Sequence, residues 1–341
     1  MRIPSTFCSF IFLFLLAAWP VSAVPVDFDV REHRGQKYVP ISQVKQFYNF
    51  TSLSQSGKSI YLKNSVVTIK FYSGGQEVLM NQVKFIFSHP IISISGRPYV
   101  SLRDLVKVID PILRPDKIKE VKAFDTVIID PGHGGRDSGG ASRYGRESTY
   151  NLAVARLLKD RLLRRGFKKV VLTRNSDIFL SLSQRVAIAN KYSNAIFISI
   201  HFNSAGTGRA SARGIETFTL SPVGVPHYGR SFKSSDLIGR RGNAQDAANI
   251  ALATAVHWRS IRQLGKARMP VPDRGIRRAR FSVLTDIKHP AILFEGGFLS
   301  NPTESRLIHK KEYQLTLANS IGDAIYFYRE ATIRKRNAAK K

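Results

Sequence analysis

Four side chains that could bind a metal ion or move a proton occupy similar places in the sequence. His133, His201 and Glu295 each come just after a short apolar segment, and Glu147 begins a predicted helix after a glycine-rich loop. If the apolar segments are parallel strands, their carboxyl ends meet at one edge of a sheet. Sites in open α/β sheets form at that edge. The pattern therefore predicts one site that contains all four residues.

Two histidines and one glutamate are a common ligand set for catalytic zinc, with a water molecule in the fourth position. Zinc lowers the pKa of that water and polarises a carbonyl group. The remaining glutamate could then take a proton from the water and pass it to a leaving nitrogen. This combination is suited to the hydrolysis of an amide. Each residue alone would be unremarkable, since a glutamate at a helix start often only stabilises the helix dipole.

The elements that must position these residues alternate between strands and helices over residues 123–330. Such alternation predicts an α/β catalytic domain with a central, mostly parallel sheet and helices on both faces. The predicted strands are 126–129, 169–172, 195–200, 214–220 and 291–294, and the predicted helices are 148–165, 181–191, 243–264 and one that begins after Asn301.

A smaller α+β module is predicted before it, over residues 24–114. An imperfect repeat relates residues 38–48 to residues 99–109, with Ser42 and Ser101 as predicted helix N-caps. Alternating segments between the two copies predict strands at 59–62, 66–71 and 82–86. A polar linker follows the module at 115–122. At the other end of the chain, residues 331–341 are a basic tail that we expect to be disordered from Arg334 onward.

The amino terminus is typical of a signal peptide. Arg2 precedes an apolar run that ends near Trp19, and small residues lead to Ala23, which predicts cleavage of residues 1–23. The protein is therefore expected to be exported to the periplasm or the cell exterior. Cys8 is the only cysteine and lies in this segment, so a metal in the mature chain would need His, Asp or Glu ligands.

The charge of the chain is strongly positive, with 53 Lys and Arg against 24 Asp and Glu. Residues 121–341 contain 38 of these basic and 16 of these acidic residues. A surface of this kind favours anionic cell-wall polymers or lipid head groups as partners. Nucleic acid is not expected, because of the predicted signal peptide and because no basic helix is interleaved with aromatic residues.

Residues 125–330 resemble the zinc-dependent N-acetylmuramoyl-L-alanine amidases of bacterial cell division and sporulation. The matching stretches follow the order found in that family. They are Val127-Ile-Ile-Asp-Pro-Gly-His-Gly-Gly135, Glu147 with Asn151-Leu152, Leu172-Thr-Arg174, Ser199-Ile-His-Phe-Asn203, Asp273-Arg-Gly-Ile276 and Pro290-Ala-Ile-Leu-Phe-Glu-Gly-Gly-Phe-Leu-Ser-Asn301.

The resemblance implies roles for the four candidate residues. His133, Glu147 and His201 would bind one zinc ion, and Glu295 would be the catalytic acid/base. The substrate would be peptidoglycan, cut at the amide between the lactyl group of N-acetylmuramic acid and L-alanine. The first module resembles the copper amine oxidase N-terminal-like domain at residues 96–104, although no copper site is expected there.

Two features depart from the family pattern or differ among its members. Ser148 stands where a lysine often follows the ligand glutamate. Some members carry a long inhibitory helix that an activator protein displaces, whereas residues 221–242 here are short, polar and without an amphipathic pattern. We therefore predict activity without an activator. Arg277 and Arg280 could bind substrate carboxylates, or they could belong to a basic surface loop.

Two other functions are compatible with parts of this pattern. The same zinc and glutamate set could remove an acetyl group from a sugar, but the order of the motifs argues against a deacetylase. The positive charge could instead belong to a non-catalytic wall-binding protein. The presence of all four candidate residues argues against that interpretation.

Overall fold

A computed structural model describes residues 27–118, 123–206 and 210–338, with side chains to Arg334. The predicted signal peptide and residues 119–122 of the predicted linker lie outside these ranges. The chain divides into two compact units between Lys119 and Glu120. None of the helices in the described ranges has the length and apolar character needed to cross a membrane.

Over the described residues 27–118, the first unit contains nine strands and three short α-helices. Strands β1, β2, β9 and β8 form an antiparallel sheet in that order, and β3 to β7 pair antiparallel, each with the next. The strands are β1 Arg31–His33, β2 Gln36–Pro40, β3 Ser52–Ser56, β4 Ser59–Lys63, β5 Thr68–Tyr72, β6 Glu77–Met80, β7 Val83–Ile86, β8 Ile92–Ile94 and β9 Arg97–Ser101. The α-helices are α1 Ile41–Phe47, α2 Leu102–Asp104 and α3 Asp110–Leu113, with a π-helical turn Leu105–Ile109 before α3 and a 3₁₀ turn Pro115–Lys117 after it.

The two predicted helix caps of this unit have different outcomes. Ser101 is the N-cap of α2, and its hydroxyl accepts a hydrogen bond from the Asp104 amide. The prediction for Ser42 is wrong, because α1 already begins at Ile41 and Pro40 takes the cap position. Proline fixes φ near the value of an extended residue, which suits the position before a helix without any side-chain bond.

The sheet of the second unit has six strands in the order β13-β10-β14-β17-β15-β16. The first four strands in this order, β13, β10, β14 and β17, are parallel to one another. Strand β15 runs antiparallel to β17, and β16 is parallel to β15. The strands are β10 Thr126–Pro131, β13 Lys169–Leu172, β14 Ala195–Asn203, β15 Ile215–Leu220, β16 Asp273–Ala279 and β17 Ala291–Phe298, and a separate hairpin contains β11 Ala141–Ser142 and β12 Gly145–Arg146.

The sheet is therefore mixed, which the prediction of a mostly parallel sheet did not include: the pairing of β15 with β17 is antiparallel and the other four pairings are parallel. Only eleven residues separate Asn203 at the end of β14 from Ile215 at the start of β15. A parallel connection needs a crossover of about a dozen residues or more, usually containing a helix. The chain instead turns back, so β15 begins at the edge of the sheet where β14 ends.

Helices pack on this sheet and cover its apolar residues. The long helix α9 packs against both α4 and α6, and a second group, α5 and α7, contacts a core that includes Ile128, Phe197 and Leu293. The helices are α4 Glu147–Arg164, α5 Leu182–Asn190, α6 Asp246–Lys266, α7 Ser282–Thr285, α8 Pro302–His309 and α9 Lys311–Ala338. The predicted cap at Asn301 is confirmed, since its side chain accepts hydrogen bonds from the amides of Thr303 and Glu304.

The last helix corrects the prediction of a disordered tail. Helix α9 continues to Ala338, so the prediction is wrong for residues 334–338, and residues 339–341 lie outside the described ranges. Tyr328, Ala331 and Thr332 are buried at helical spacing. Their burial stabilises the part of α9 that directly precedes its basic carboxyl-terminal residues.

Asp323 joins the three long helices through arginines. Its Oδ1 accepts bonds from Arg161 Nη2 at 2.6 Å and Arg165 Nη2 at 2.8 Å, and Arg259 Nη2 lies 3.6 Å from its Oδ2. The carboxylate is only 8% exposed. It therefore places one negative charge among three guanidinium groups and links α9 to both α4 and α6.

We expect Asp323→Ala to lower the free energy of unfolding by about 1–3 kcal/mol, because three partly buried cations would lose their shared anion. The arginines retain some contact with water, which keeps the loss below that of a fully buried pair. Denaturant unfolding would measure it, with Asp160→Ala on the exposed side of α4 as the control. Equal stability of the two variants would contradict this role.

Candidate functional site

Three of the four predicted site residues form a compact cluster of metal-ligating atoms. His133, Glu147 and His201 each offer one such atom, and these atoms all lie within 4.8 Å of one another. Glu147 Oε1 is 3.2 Å from His133 Nε2 and 2.9 Å from His201 Nδ1. The convergence expected from the strand order is therefore present in the fold.

His133 lies in the loop after β10, and a carboxylate fixes its ring. His133 Nδ1 is 2.8 Å from Asp137 Oδ2, while Asp137 Oδ1 accepts a hydrogen bond from the Gly139 amide at 3.1 Å. A carboxylate can only accept, so Nδ1 donates to Asp137, and with a metal ion in the cluster Nε2 would present its lone pair to that ion. Such an outer partner sets the tautomer and direction of a metal-binding histidine.

Glu147 is the buried member of the cluster and begins α4. Its Oε2 accepts a hydrogen bond from the Gly140 amide at 2.8 Å, and its Oε1 accepts one from the Phe202 amide at 3.3 Å. Burial acts to raise the pKa of Glu147, but hydrogen bonds and charge from His133 and His201 outweigh burial and lower it. The carboxylate is therefore ionised and able to act as a ligand.

Glu295 lies beside the cluster on the next strand. It is the register partner of His201 across β14 and β17, its side chain is buried, and its Oε2 makes no hydrogen bond within the described part of the protein. Burial, followed by the charges of Glu147 and Glu216, raises the pKa of Glu295 well above its usual range. A carboxyl group in this state can hold a proton near neutral pH and release it to a neighbouring group.

Glu216 was not among the predicted site residues. It pairs with Glu295 across β15 and β17, and its carboxylate accepts bonds from Asn203 Nδ2 at 2.9 Å and Arg274 Nε at 2.6 Å. Glu216 stands at the beginning of β15, whereas the predicted site residues were expected after strands or at the start of a helix. Because β15 runs against its neighbour, its first residues lie at the edge that holds the cluster.

The two arginines considered for substrate carboxylates are placed differently. Arg277 Nε lies 3.4 Å from Glu216 Oε1, so this guanidinium belongs to the surroundings of the cluster. Arg280 instead bonds the backbone oxygens of Pro222 and Asp236 and lies 2.9 Å from the Asp236 carboxylate. Arg280 therefore anchors the segment 221–242, as a basic loop residue would.

The segment 221–242 contains no long helix. Its regular structure is limited to a 3₁₀ turn, Ser234–Leu237, and the beginning of a second one, Arg241–Gln245. Buried Asp236 organises the segment by accepting two bonds from Arg230. The segment 221–242 is thus ordered by polar contacts such as these and not by the apolar face of a helix.

The chemistry of the cluster fits a zinc ion. Two imidazole nitrogens and one carboxylate oxygen are the donors of a common catalytic zinc set. The Nδ1 of His133 is bonded to the Asp137 carboxylate, and the Glu147 carboxylate accepts hydrogen bonds from backbone amides. Hydrogen bonds of this kind orient the ligands in metal sites. With a metal ion bound, such a donor set would polarise a carbonyl group close to the buried carboxyl group of Glu295.

The chain is similar over part of its length to known amidases. AmiC, an N-acetylmuramoyl-L-alanine amidase of Escherichia coli O6:H1 (strain CFT073), is 32% identical over 228 residues, which are 62% of this chain and 54% of AmiC. AmiA, an N-acetylmuramoyl-L-alanine amidase of Escherichia coli K12, is 29% identical over 256 residues, which are 70% of this chain and 87% of AmiA. The chain thus matches about half the length of AmiC.

The catalytic domain of CwlV, an amidase from Bacillus (Paenibacillus) polymyxa var. colistinus, has a solved structure with 31% sequence identity and a TM-score of 0.49, covering 61% of this chain and 99% of that one. The profile of the family described as N-acetylmuramoyl-L-alanine amidase matches residues 127–326, which is more than half of the chain. This chain therefore belongs to the N-acetylmuramoyl-L-alanine amidase family.

Proposed function

We propose that this protein is a zinc-dependent hydrolase of peptidoglycan that cleaves the amide between N-acetylmuramic acid and L-alanine. His133, Glu147 and His201 would hold one zinc ion, and Glu295 would be the general acid/base. The observation that carries the proposal is a metal-ligating cluster beside a buried carboxyl group in a chain of this family.

Zinc held by such ligands supplies Lewis acidity toward water and toward the scissile carbonyl. Ionised Glu295 accepts the proton of the attacking water and then donates it to the nitrogen of L-alanine as the C–N bond breaks. Its raised pKa allows the proton to stay on the carboxyl group between the two transfers. Asp137 keeps His133 in the tautomer that presents Nε2 to the site.

Digestion of purified peptidoglycan, with products identified by mass, tests this proposal. We expect stem peptides with a free L-alanine amino terminus, no release after treatment with a chelator, and recovery when zinc is restored. Release of acetate instead would indicate a deacetylase. Retention on peptidoglycan without any product, with zinc present, would indicate a wall-binding protein.

Glu216→Gln should shift the acid limb of the pH–rate profile to lower pH. The negative charge of Glu216 is one of the causes that raise the pKa of Glu295. Removing it lowers that pKa, so Glu295 stays ionised, and able to act as a base, at lower pH. The profile of kcat/KM against pH measures the shift, with Glu312→Gln, on the exposed side of α9, as the control. An unmoved limb, or a shift to higher pH, would contradict the role given to Glu295.

We also propose export to the periplasm or the cell exterior, directed by residues 1–23, and activity without an activator protein. The short 3₁₀ turns of the segment 221–242 support the second point. By its resemblance to the copper amine oxidase N-terminal-like domain, the first unit would bind the wall or act as a spacer. Anionic wall polymers or lipid head groups would be further partners of this basic chain.

A further inference from the structure

Two buried arginines lie behind the loop that carries His133. Arg174 follows β13 and is 2% exposed, and Arg185 belongs to α5 and is 3% exposed. Burying a guanidinium group is costly unless its donors are paired. Both side chains meet that requirement by bonding to backbone oxygens of the same loop.

The bonds of the two arginines reach three consecutive residues. Arg174 donates to the carbonyl oxygen of Pro131 at 2.9 Å and to that of Gly132 at 2.8 Å. Arg185 donates to the carbonyl oxygens of Pro131 and His133, both at 2.7 Å. Three successive peptide groups are thereby held with their oxygens toward the guanidinium groups.

This arrangement holds His133 in an unfavourable backbone conformation. Its φ is 59°, in the left-handed region. Only glycine visits that region without strain, and a residue with a side chain stays there when its surroundings impose it. The arginine bonds on both sides of the His133 peptide provide such surroundings.

The same network reaches the second ligand. Arg174 Nη2 also donates to the carbonyl oxygen of Ser148 at 2.9 Å, one residue after Glu147. A single guanidinium therefore joins the loop of His133 to the first turn of α4. Lysine could not replace it, because one ammonium nitrogen cannot span oxygens that the planar fork of arginine reaches together.

Asp130 neutralises Arg185 and completes the network. Its Oδ1 accepts bonds from Arg185 Nη1 at 2.7 Å and Thr173 Oγ1 at 2.6 Å, and its Oδ2 accepts one from Ser199 Oγ at 2.8 Å. Asp130 is itself the last residue but one of β10. The sheet thus holds the Asp130 carboxylate in place, and this carboxylate orients Arg185. Arg185 in turn holds the loop of His133 through the His133 carbonyl oxygen.

We propose that Arg174 and Arg185 are positioning residues that hold His133 and Glu147 in their metal-binding arrangement before any metal binds. The inference rests on the proposed function for the identity of the metal, and on the backbone geometry for the rest. It assigns no contact with substrate to either arginine. Their effect is expected in metal affinity and in the rigidity of residues 132–139.

Arg280 provides a matched control. It is a partly buried arginine that also bonds a carboxylate and several carbonyl oxygens, but its loop is the segment 221–242 and contains none of the proposed ligands. Arg280→Lys should therefore cost stability as the other two substitutions do. It should leave the cluster unchanged.

The test compares Arg174→Lys, Arg185→Lys and Arg280→Lys in the full chain. Zinc affinity, measured by competition with a chromogenic chelator, should fall about ten- to a hundredfold in the first two variants and stay at the wild-type value in the third. Thermal unfolding of the metal-free proteins gives the folded fraction. Wild-type zinc affinity in folded Arg174→Lys or Arg185→Lys would overturn the proposal.

Hydrogen exchange of the metal-free proteins provides a readout independent of zinc. Residues 132–139 should exchange faster in the first two variants than in the wild type and in Arg280→Lys, and unchanged exchange would overturn the proposal. Should the wild type bind no zinc, the metal of the proposed function is wrong, and exchange alone decides the role of the arginines.

A milder variant covers the case in which both lysine substitutions prevent folding. Thr173→Val keeps the shape of the side chain and both arginines but removes one bond to Asp130. We expect zinc affinity to fall about fivefold, the equivalent of one hydrogen bond. Unchanged affinity and unchanged exchange in this variant would count against the network.

Discussion

Glu295→Gln should reduce the hydrolysis of peptidoglycan about 10²- to 10⁴-fold while leaving the bound metal in place. The substitution keeps the shape of the side chain but removes its ability to accept and return a proton, and general acid–base catalysis contributes a factor of that size. Glu295 faces the cluster as the register partner of His201 but is not one of its three clustered ligands.

The measurement is the initial rate of release of stem peptides, together with the zinc content of each purified protein. Glu312→Gln, on the exposed side of α9, is the control for the loss of one carboxylate. A rate within tenfold of the wild type, with zinc bound, would exclude Glu295 as the acid/base. Loss of zinc in the variant would instead make Glu295 a ligand.

Gly132→Ala should remove most of the metal affinity without unfolding the protein. A methyl group at this position would lie within 2.7 Å of three atoms of the His201 ring, closer than real contacts allow. The imidazole would have to turn away, because the backbone of residue 132 is held by its hydrogen bond to the carbonyl oxygen of Ile200. We expect zinc affinity to fall at least about a hundredfold, as for the loss of a ligand.

Zinc competition and thermal unfolding, measured on the same sample, separate the two effects. Gly265→Ala is the control, since a methyl group there meets no atom within 4 Å, and alanine is favoured over glycine in a helix. It should preserve zinc affinity and leave stability equal or higher. Zinc affinity in Gly132→Ala equal to that of the control would show that His201 does not act as a ligand.

The sequence by itself determined the class of the second unit and the cluster of His133, Glu147 and His201. Strands and helices have different apolar periods, and parallel neighbours end at the same edge of a sheet. His133 follows β10, and His201 and Glu295 lie near the carboxyl ends of β14 and β17, so these side chains meet at that edge. The resemblance to the amidase family rested on the quoted motifs and their order, and the family profile that matches residues 127–326 confirmed it.

The direction of β15 was decided only by the tertiary structure, and the position of Glu216 follows from that direction. A sequence shows where a strand begins and ends but not which neighbour it pairs with, and the antiparallel pairing with β17 brings the first residues of β15 to the site. Arg174 and Arg185 illustrate the same limit. Apart from the Asp130 carboxylate beside Arg185, their partners within the loop of His133 are backbone oxygens. Every residue has such an oxygen, so no pattern of side chains along the chain could reveal these bonds.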